Sequence, residues 1–293
     1  MVPPESRAST PDPRGFGPRR IVCLTEEPTE VLYAIGEESR IVGISGFTVR
    51  PPRARREKPK VSAFTSAKIG EILKLEPDFV VGFSDIQADI ARELIKAGVE
   101  VWISNHRSVA GIIDYIRRLG AMVGAADKAD ALAGEAEARI ASVKKAVSEL
   151  AASHAPRPRV YFEEWDDPMI SGIRWVAELV RIAGGEDIFP ELAEKPLARD
   201  RIIADPDEVA RRAPDIVIGS WCGKRFRPER VAARAGWEAI PAVRTGELHE
   251  VKSPIILQPG PAALFDGLDA LHRIIVDWSR RFAGDHPSSE RGT

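Results

Sequence analysis

Residues 76–85 read EPDFVVGFSD and residues 213–222 read APDIVIGSWC. Each line runs Pro-Asp, three apolar residues and a Gly, then a short stretch with an aromatic, a Ser and a polar or thiol side chain. A short apolar run bounded by turn residues reads as a buried strand of a parallel sheet. The same strand written twice, 137 positions apart, predicts two matching lobes.

The surrounding segments extend the pattern. RIVCLT (20–25) and RIVGISG (40–46) read as strands, with the helical spacing of Val31, Leu32 and Ile35 between them. Helical patterns around Ile69–Leu75, 89–97 and 108–123 flank the repeated strand and VEVWIS (99–104). In the second half RVYFEEW (159–165) parallels RIVCLTEE, each a strand closing on a Glu-Glu pair. WVAELVRIAGG (175–185), PDEVARRA, DIVIGSW and ELHEV then repeat the alternation. Strands alternating with helices mean parallel pairing and an α/β layer.

Between the halves, Leu132, Ala136, Ile140, Val143, Val147 and Leu150 recur every three or four residues. That is one helix of about 28 residues, roughly 40 Å at 1.5 Å per residue. It reads as a rigid strut, with a coiled-coil seam as the alternative. The fold class expected is α/β: two three-layer α/β lobes joined by a single long backbone helix. The expected divisions are a disordered lead-in (1–19), an N-terminal lobe (20–125), the linking helix (126–154), a C-terminal lobe (155–283) and a disordered tail (284–293). The last helix, about 261–282, carries Leu264, Leu268, Leu271, Ile275 and Trp278 on one face, expected to pack on the second lobe.

Composition narrows the function. The 293 residues carry a formal net charge of −2, which leaves no basic footprint for nucleic acid or an anionic membrane. Cys23 and Cys222 stand far apart without zinc-ligand spacing. No apolar run approaches the roughly 20 residues of a membrane span, and IVCL runs straight into Glu26-Glu27 instead of extending into a signal-peptide core. The location expected on that reading is cytoplasmic, and periplasmic if the start is mis-assigned. Walker, Gly-x-Ser-x-Gly, His-Glu-x-x-His and dinucleotide-binding patterns are missing from the sequence, so a binding protein is favoured over an enzyme.

Ligands of parallel α/β sheets sit beyond the carboxyl ends of the strands. The residues there supply the candidate site: Thr25, Glu26, Phe47, Phe64, Ser84, Glu163, Trp165 and Trp221. The aromatics would form walls for a flat apolar ligand and the polar groups its hydrogen bonds. The same acidic side chains also suit helix N-termini, and the aromatics also suit packing. Two paired carboxylates around Glu26 and Glu163 on a bound cation would give the alternative, a metal-dependent hydrolase. His106 and His249 lack a second ligand at close spacing.

The order RIVCLTEEPTEVLYAIG, RIVGISGFT, PKVSAFTS, ILKLEPDFVVG, a long helix, IAGGEDIF and PDEVARRAPDIVIG resembles the cobalamin- and iron-siderophore-binding proteins of the helical-backbone type that serve ABC importers. The resemblance covers about residues 20–280. It implies two α/β lobes bridged by one helix, a shallow cleft with little closure, and a corrinoid or iron-siderophore as ligand rather than a catalytic cofactor. It also implies an ABC permease as partner. By the same resemblance Phe64 stands where a ring-facing Trp is often found, Thr25 and Glu26 lie in the loop that approaches the ligand, and Arg201 replaces a second-lobe Trp. The permease-docking Glu positions fall at Gly70, beside Glu71, and at Asp207, beside Glu208, so docking departs from the family pattern.

Overall fold

The computed structural model describes residues 17–283. The lead-in before residue 17 and the tail from 284 lie outside them. Residues 17–19, expected in the lead-in, are tied to the first lobe: Arg40 donates to the Pro18 carbonyl at 2.6 Å, and Asp78 accepts from the Arg19 amide at 2.8 Å.

The first lobe is a five-stranded parallel sheet. Its strands are β1 (Ile21–Cys23), β2 (Ile41–Ser45), β3 (Lys60–Ser62), β4 (Phe79–Phe83) and β5 (Glu100–Ser104), in the order β3-β2-β1-β4-β5. The second sheet takes β6 (Arg159–Asp166), β7 (Met169–Ser171), β8 (Glu186–Asp187), β9 (Ile216–Gly219) and β10 (Leu248–Glu250). Its order is β10-β9-β6-β7, with β8 also paired to β6. The strand β7 is antiparallel and folds back on β6. The strands β3, β7 and β8 lie outside the segments read as strands from sequence. The other seven fall where the apolar runs predict.

Both copies of the repeated line occupy the same place. β4 pairs with β1, and β9 with β6, each parallel. In both, the Pro-Asp carboxylate caps the start of the neighbouring strand: Asp78 accepts from the Arg20 amide at 2.8 Å and Asp215 from the Arg159 amide at 2.8 Å. The residue before each Pro, Glu76 (φ 46°) and Ala213 (φ 42°), turns through the left-handed region to start the strand. The closing Gly is required too. A Cβ on Gly82 would stand 2.3 Å from Gln87 Oε1, and one on Gly219 1.9 Å from the Phe226 ring.

Each sheet is buried on both faces, so its strands are apolar at successive positions. In β1, Ile21 and Cys23 face an inner core while Val22 and Leu24 face an outer one. In β6, Val160 and Phe162 face that same inner core while Tyr161 faces a second outer one. The inner layers of the two lobes therefore merge. The helix Ala126–Ala152 contributes Ala129, Ala133, Ala136, Ile140 and Val143 to this shared core. Its buried stripe begins one turn earlier than the sequence spacing suggests, on small residues. A Cβ on Gly120 of the helix Val109–Met122 would meet Ala129 Cβ at 2.1 Å. Gly184 and Gly185 lie against Val147, Val160 and Ile275, which explains the Gly-Gly after WVAELVRIA.

The last helix is regular only from Leu268 to Phe282, after a wide turn of π type at Ala263–Gly267. It packs on the second lobe as expected, and also reaches the long helix, where Arg139 donates to Asp269 at 2.6 Å. Among the described residues no helix is long and apolar enough to cross a membrane.

The capping role of the Pro-Asp pair is testable. Asp78→Ala and Asp215→Ala each remove a carboxylate that accepts from a strand-starting amide, and each is expected to lower unfolding free energy by about 1–2 kcal/mol in urea titrations. A loss confined to one of the two would contradict their equivalence.

Candidate ligand cleft

The carboxyl ends of the strands turn toward one another across the junction of the lobes. Phe83, at the end of β4, meets Trp175 of the second lobe edge-on at 6.4 Å between ring centroids. Trp175 Nε1 in turn donates to the Ile256 carbonyl at 2.9 Å. His106, after β5, stacks on Tyr115 at 4.5 Å. Its Nε2 lies 2.8 Å from the Pro259 carbonyl, so it is the protonated nitrogen, and Nδ1 takes the Ser104 hydroxyl at 2.7 Å. Burial holds His106 neutral, lowering its pKa to about 4. With both nitrogens occupied it is a joint between lobes and offers no lone pair to a metal. His249 lies on β10, 2.8 Å from Glu247.

Four of the eight expected site residues are accessible. Phe47 is 57% exposed, and Glu26, Phe64 and Trp165 are half-buried. Phe64 is held from behind, because Gln87 donates to its carbonyl at 3.0 Å and accepts from the Phe83 amide at 3.0 Å. Trp165 is fixed by Nε1 donating to the Asp167 carbonyl at 2.8 Å, with Lys224 Nζ 4.0 Å from its ring centroid. Lys224 is itself ion-paired with Asp166.

The other four stand behind the surface. Thr25 is fully buried and donates to Glu27 at 2.5 Å. Ser84 adopts φ 75°, and its hydroxyl donates to Asp85 at 2.9 Å and accepts from Arg107 at 3.2 Å. Glu163 is fully buried and accepts from Tyr161 at 3.0 Å, Trp221 Nε1 at 2.9 Å, and Arg234 at 2.6 and 2.9 Å. A carboxylate with four donors has no lone pair left for a cation or a ligand, which removes the paired-carboxylate basis of the hydrolase reading. Trp221, 3% exposed, is part of the same bracket and packs edge-on against Phe226. Period two explains the placement. Glu163 shares the outer face of β6 with Tyr161, while Glu164 and Trp165 reach the strand end.

Sequence reasoning missed the partners of several charged groups near the strand ends. Arg201, expected as the replacement for a ring-facing Trp, is 2% exposed and makes a two-pronged ion pair with Glu164 at 2.7 and 3.2 Å. Arg107 lies over the Phe83 ring, 5.2 Å from its centroid, and pairs with Asp85 at 3.0 Å. Burial pushes the Cys222 thiol up, and Glu26 and Glu164 push it further. Burial raises the pKa of Glu26 to about 7 and that of Glu27 to about 8. Glu27 Oε2 and the Tyr115 hydroxyl have no hydrogen-bond partner among the described residues. None of these long-range pairings has a local sequence signal. Among the described residues no three His, Cys, Asp or Glu side chains gather as a metal site.

The docking candidates lie at the surface. Glu71 is 54% exposed and bonds Lys74 at 2.9 Å. Asp207 is exposed at the first turn of the helix Asp207–Arg211 and forms no ion pair among the described residues, whereas Glu208 pairs with Arg211 and Arg212.

The raised pKa of Glu27 gives a signed prediction. A carboxyl whose folded pKa exceeds its unfolded value stabilises the fold at low pH, and that contribution is lost as pH rises from about 4.5 to about 8. Glu27→Gln keeps the acceptor for Thr25 without the charge. It is expected to be more stable than the parent at pH 9, by roughly 3–5 kcal/mol, and nearly equal to it at pH 4. Urea unfolding at the two pH values measures this; an equal loss at both would contradict it.

A "Cobalamin-binding protein" of Halobacterium salinarum is 23% identical over 252 residues, or 83% of this chain. The chain spans 66% of that protein's length. A "Vitamin B12-binding protein" of Vibrio parahaemolyticus is 24% identical over 84% of this chain and 85% of its own. Among solved structures, the periplasmic heme-binding protein RhuT from Roseiflexus sp. RS-1 superposes with a TM-score of 0.72 at 23% identity, over 88% of this chain and all of that one. The match to the periplasmic binding protein family runs over residues 21–254, most of both lobes and all of the connecting helix, and the chain belongs to that family.

Proposed function

We propose that this protein is the substrate-binding component of an ABC-type importer and holds a corrinoid, of the cobalamin type, in the cleft between its lobes. The observation that carries the reading is the pairing of accessible aromatics, Phe47 and Phe64 from one lobe and Trp165 from the other, at strand ends that face a common junction. Flat, largely apolar rings gain roughly 0.5–1.5 kcal/mol per aromatic contact beyond burial. The cobalamin- and B12-binding relatives support the same ligand class. Binding uses no catalytic step. Glu26 supplies a hydrogen-bonding carboxyl, while Thr25, Ser84, Glu163 and Trp221 hold the walls in place. Glu71 and Asp207, one exposed carboxylate on each lobe, are the contacts proposed for the permease.

The test is the absorbance of the protein after mixing with hydroxocobalamin and desalting. Corrin bands are expected to co-elute near one per chain. The double variant Phe64→Ala/Trp165→Ala should weaken binding by about tenfold or more, and Glu71→Lys/Asp207→Lys should leave it unchanged. A colourless eluate would contradict the corrinoid reading, and colour with hemin or a ferric hydroxamate instead would transfer the site to that ligand.

A further inference from the structure

Phe47 is the most exposed of the proposed wall residues, yet the backbone on either side of it is closely held. The Gly46 amide donates to the Ser62 carbonyl at 2.7 Å, which carries the β2–β3 ladder one residue past the strand. The Thr48 amide donates to the Ser45 carbonyl at 3.1 Å, and the Phe47 amide to the Ser45 hydroxyl at 3.2 Å. Thr48 is fully buried while Phe47 stands in water. The carbonyls that flank Phe47, those of Gly46 and Thr48, converge on one group. Arg55 Nη1 donates to the first at 2.6 Å and to the second at 3.2 Å.

Arg55 springs from a fixed platform. Its helix, Ala54–Glu57, is a single turn with Ala54 fully buried. The Tyr33 hydroxyl pins that turn to the helix Glu26–Ala34 by donating to Glu57 at 2.7 Å, and the Arg53 guanidinium lies 4.8 Å from the Tyr33 ring centroid. The neighbouring arginines pair with carboxylates, Arg50 with Glu30 and Asp266 and Arg53 with Glu38. Arg55 makes no ion pair among the described residues and gives its charge to the two carbonyls instead. Such charge-assisted bonds are stronger than neutral ones. A loop ordered in this way before a ligand arrives loses little freedom on binding.

Resting on the proposed corrinoid reading, we infer that Arg55 is a positioning residue: without touching the ligand, it clasps the backbone on both sides of Phe47 and holds that ring out toward the cleft. A double-mutant cycle on hydroxocobalamin affinity, read by tryptophan quenching, tests this. Phe47→Ala is expected to weaken binding about fivefold to tenfold, and Arg55→Met, which keeps the stem of the side chain, about threefold to fivefold. In the Phe47→Ala background, Arg55→Met should change affinity by less than about 1.5-fold. Amide hydrogen exchange at Thr48 should be about tenfold faster in ligand-free Arg55→Met, with β1 and β4 unchanged. Effects that multiply in the double variant overturn the positioning role and make Arg55 a direct ligand contact. Parental affinity in Arg55→Met, or parental exchange at Thr48, overturns the clasp. Parental affinity in Phe47→Ala removes Phe47 from the wall and Arg55's part with it, and leaves the corrinoid reading standing. A parent protein that binds no hydroxocobalamin overturns both readings together.

Discussion

The structure depends on one shared apolar layer. The inner faces of two separate sheets, carrying Ile21, Phe79 and Val81 on one side and Val160, Phe162 and Ile218 on the other, drain into a single core with the long helix running through it. The helix can lie this close because its buried stripe starts on Ala129, Ala133 and Ala136 and meets Gly120. Larger side chains would hold the helices apart, since a packed interior has little room to give. With the layer intact, two independently twisted sheets aim their strand ends at one place. The cleft is a by-product of that constraint.

The loops at the strand ends are then stiffened by polar brackets. Gln87 ties the Phe64 loop to β4, and Glu163 gathers Tyr161, Trp221 and Arg234 behind Trp165. Buried polar groups are costly unless satisfied, and satisfied networks specify a unique arrangement. The exceptions are informative. Ser84 sits at positive φ where β4 ends, and Glu27 keeps an oxygen unpartnered among the described residues; local conflicts of this kind concentrate where function constrains the backbone. Stiff walls suit a large rigid ligand, which loses little freedom on binding.

Much of the architecture was legible in the sequence because it is written in periodicity. The two Pro-Asp lines marked equivalent strands, and the spacing over 132–150 marked the connecting helix. The chemistry of the site was less legible. A Glu-Glu pair at a strand end puts one carboxylate on each face, and only the sheet decides that Glu163 points to Arg234 and Glu164 to Arg201. Those arginines lie 71 and 37 positions away, beyond any local signal. The strands β3, β7 and β8 escaped as well, since none belongs to an apolar run like those that mark β1 and β9.

The claim most exposed to test is that the shared layer holds the lobes at a fixed angle. In a Cys222→Ser background, leaving only buried Cys23, spin labels at exposed Ile95 and Arg199 report the distance between lobes by pulsed dipolar spectroscopy. One narrow distribution is expected, moving by less than about 2 Å when hydroxocobalamin is added. A broad or two-peaked distribution, or a ligand-driven shift of many ångströms, would show that the lobes hinge freely and contradict the account.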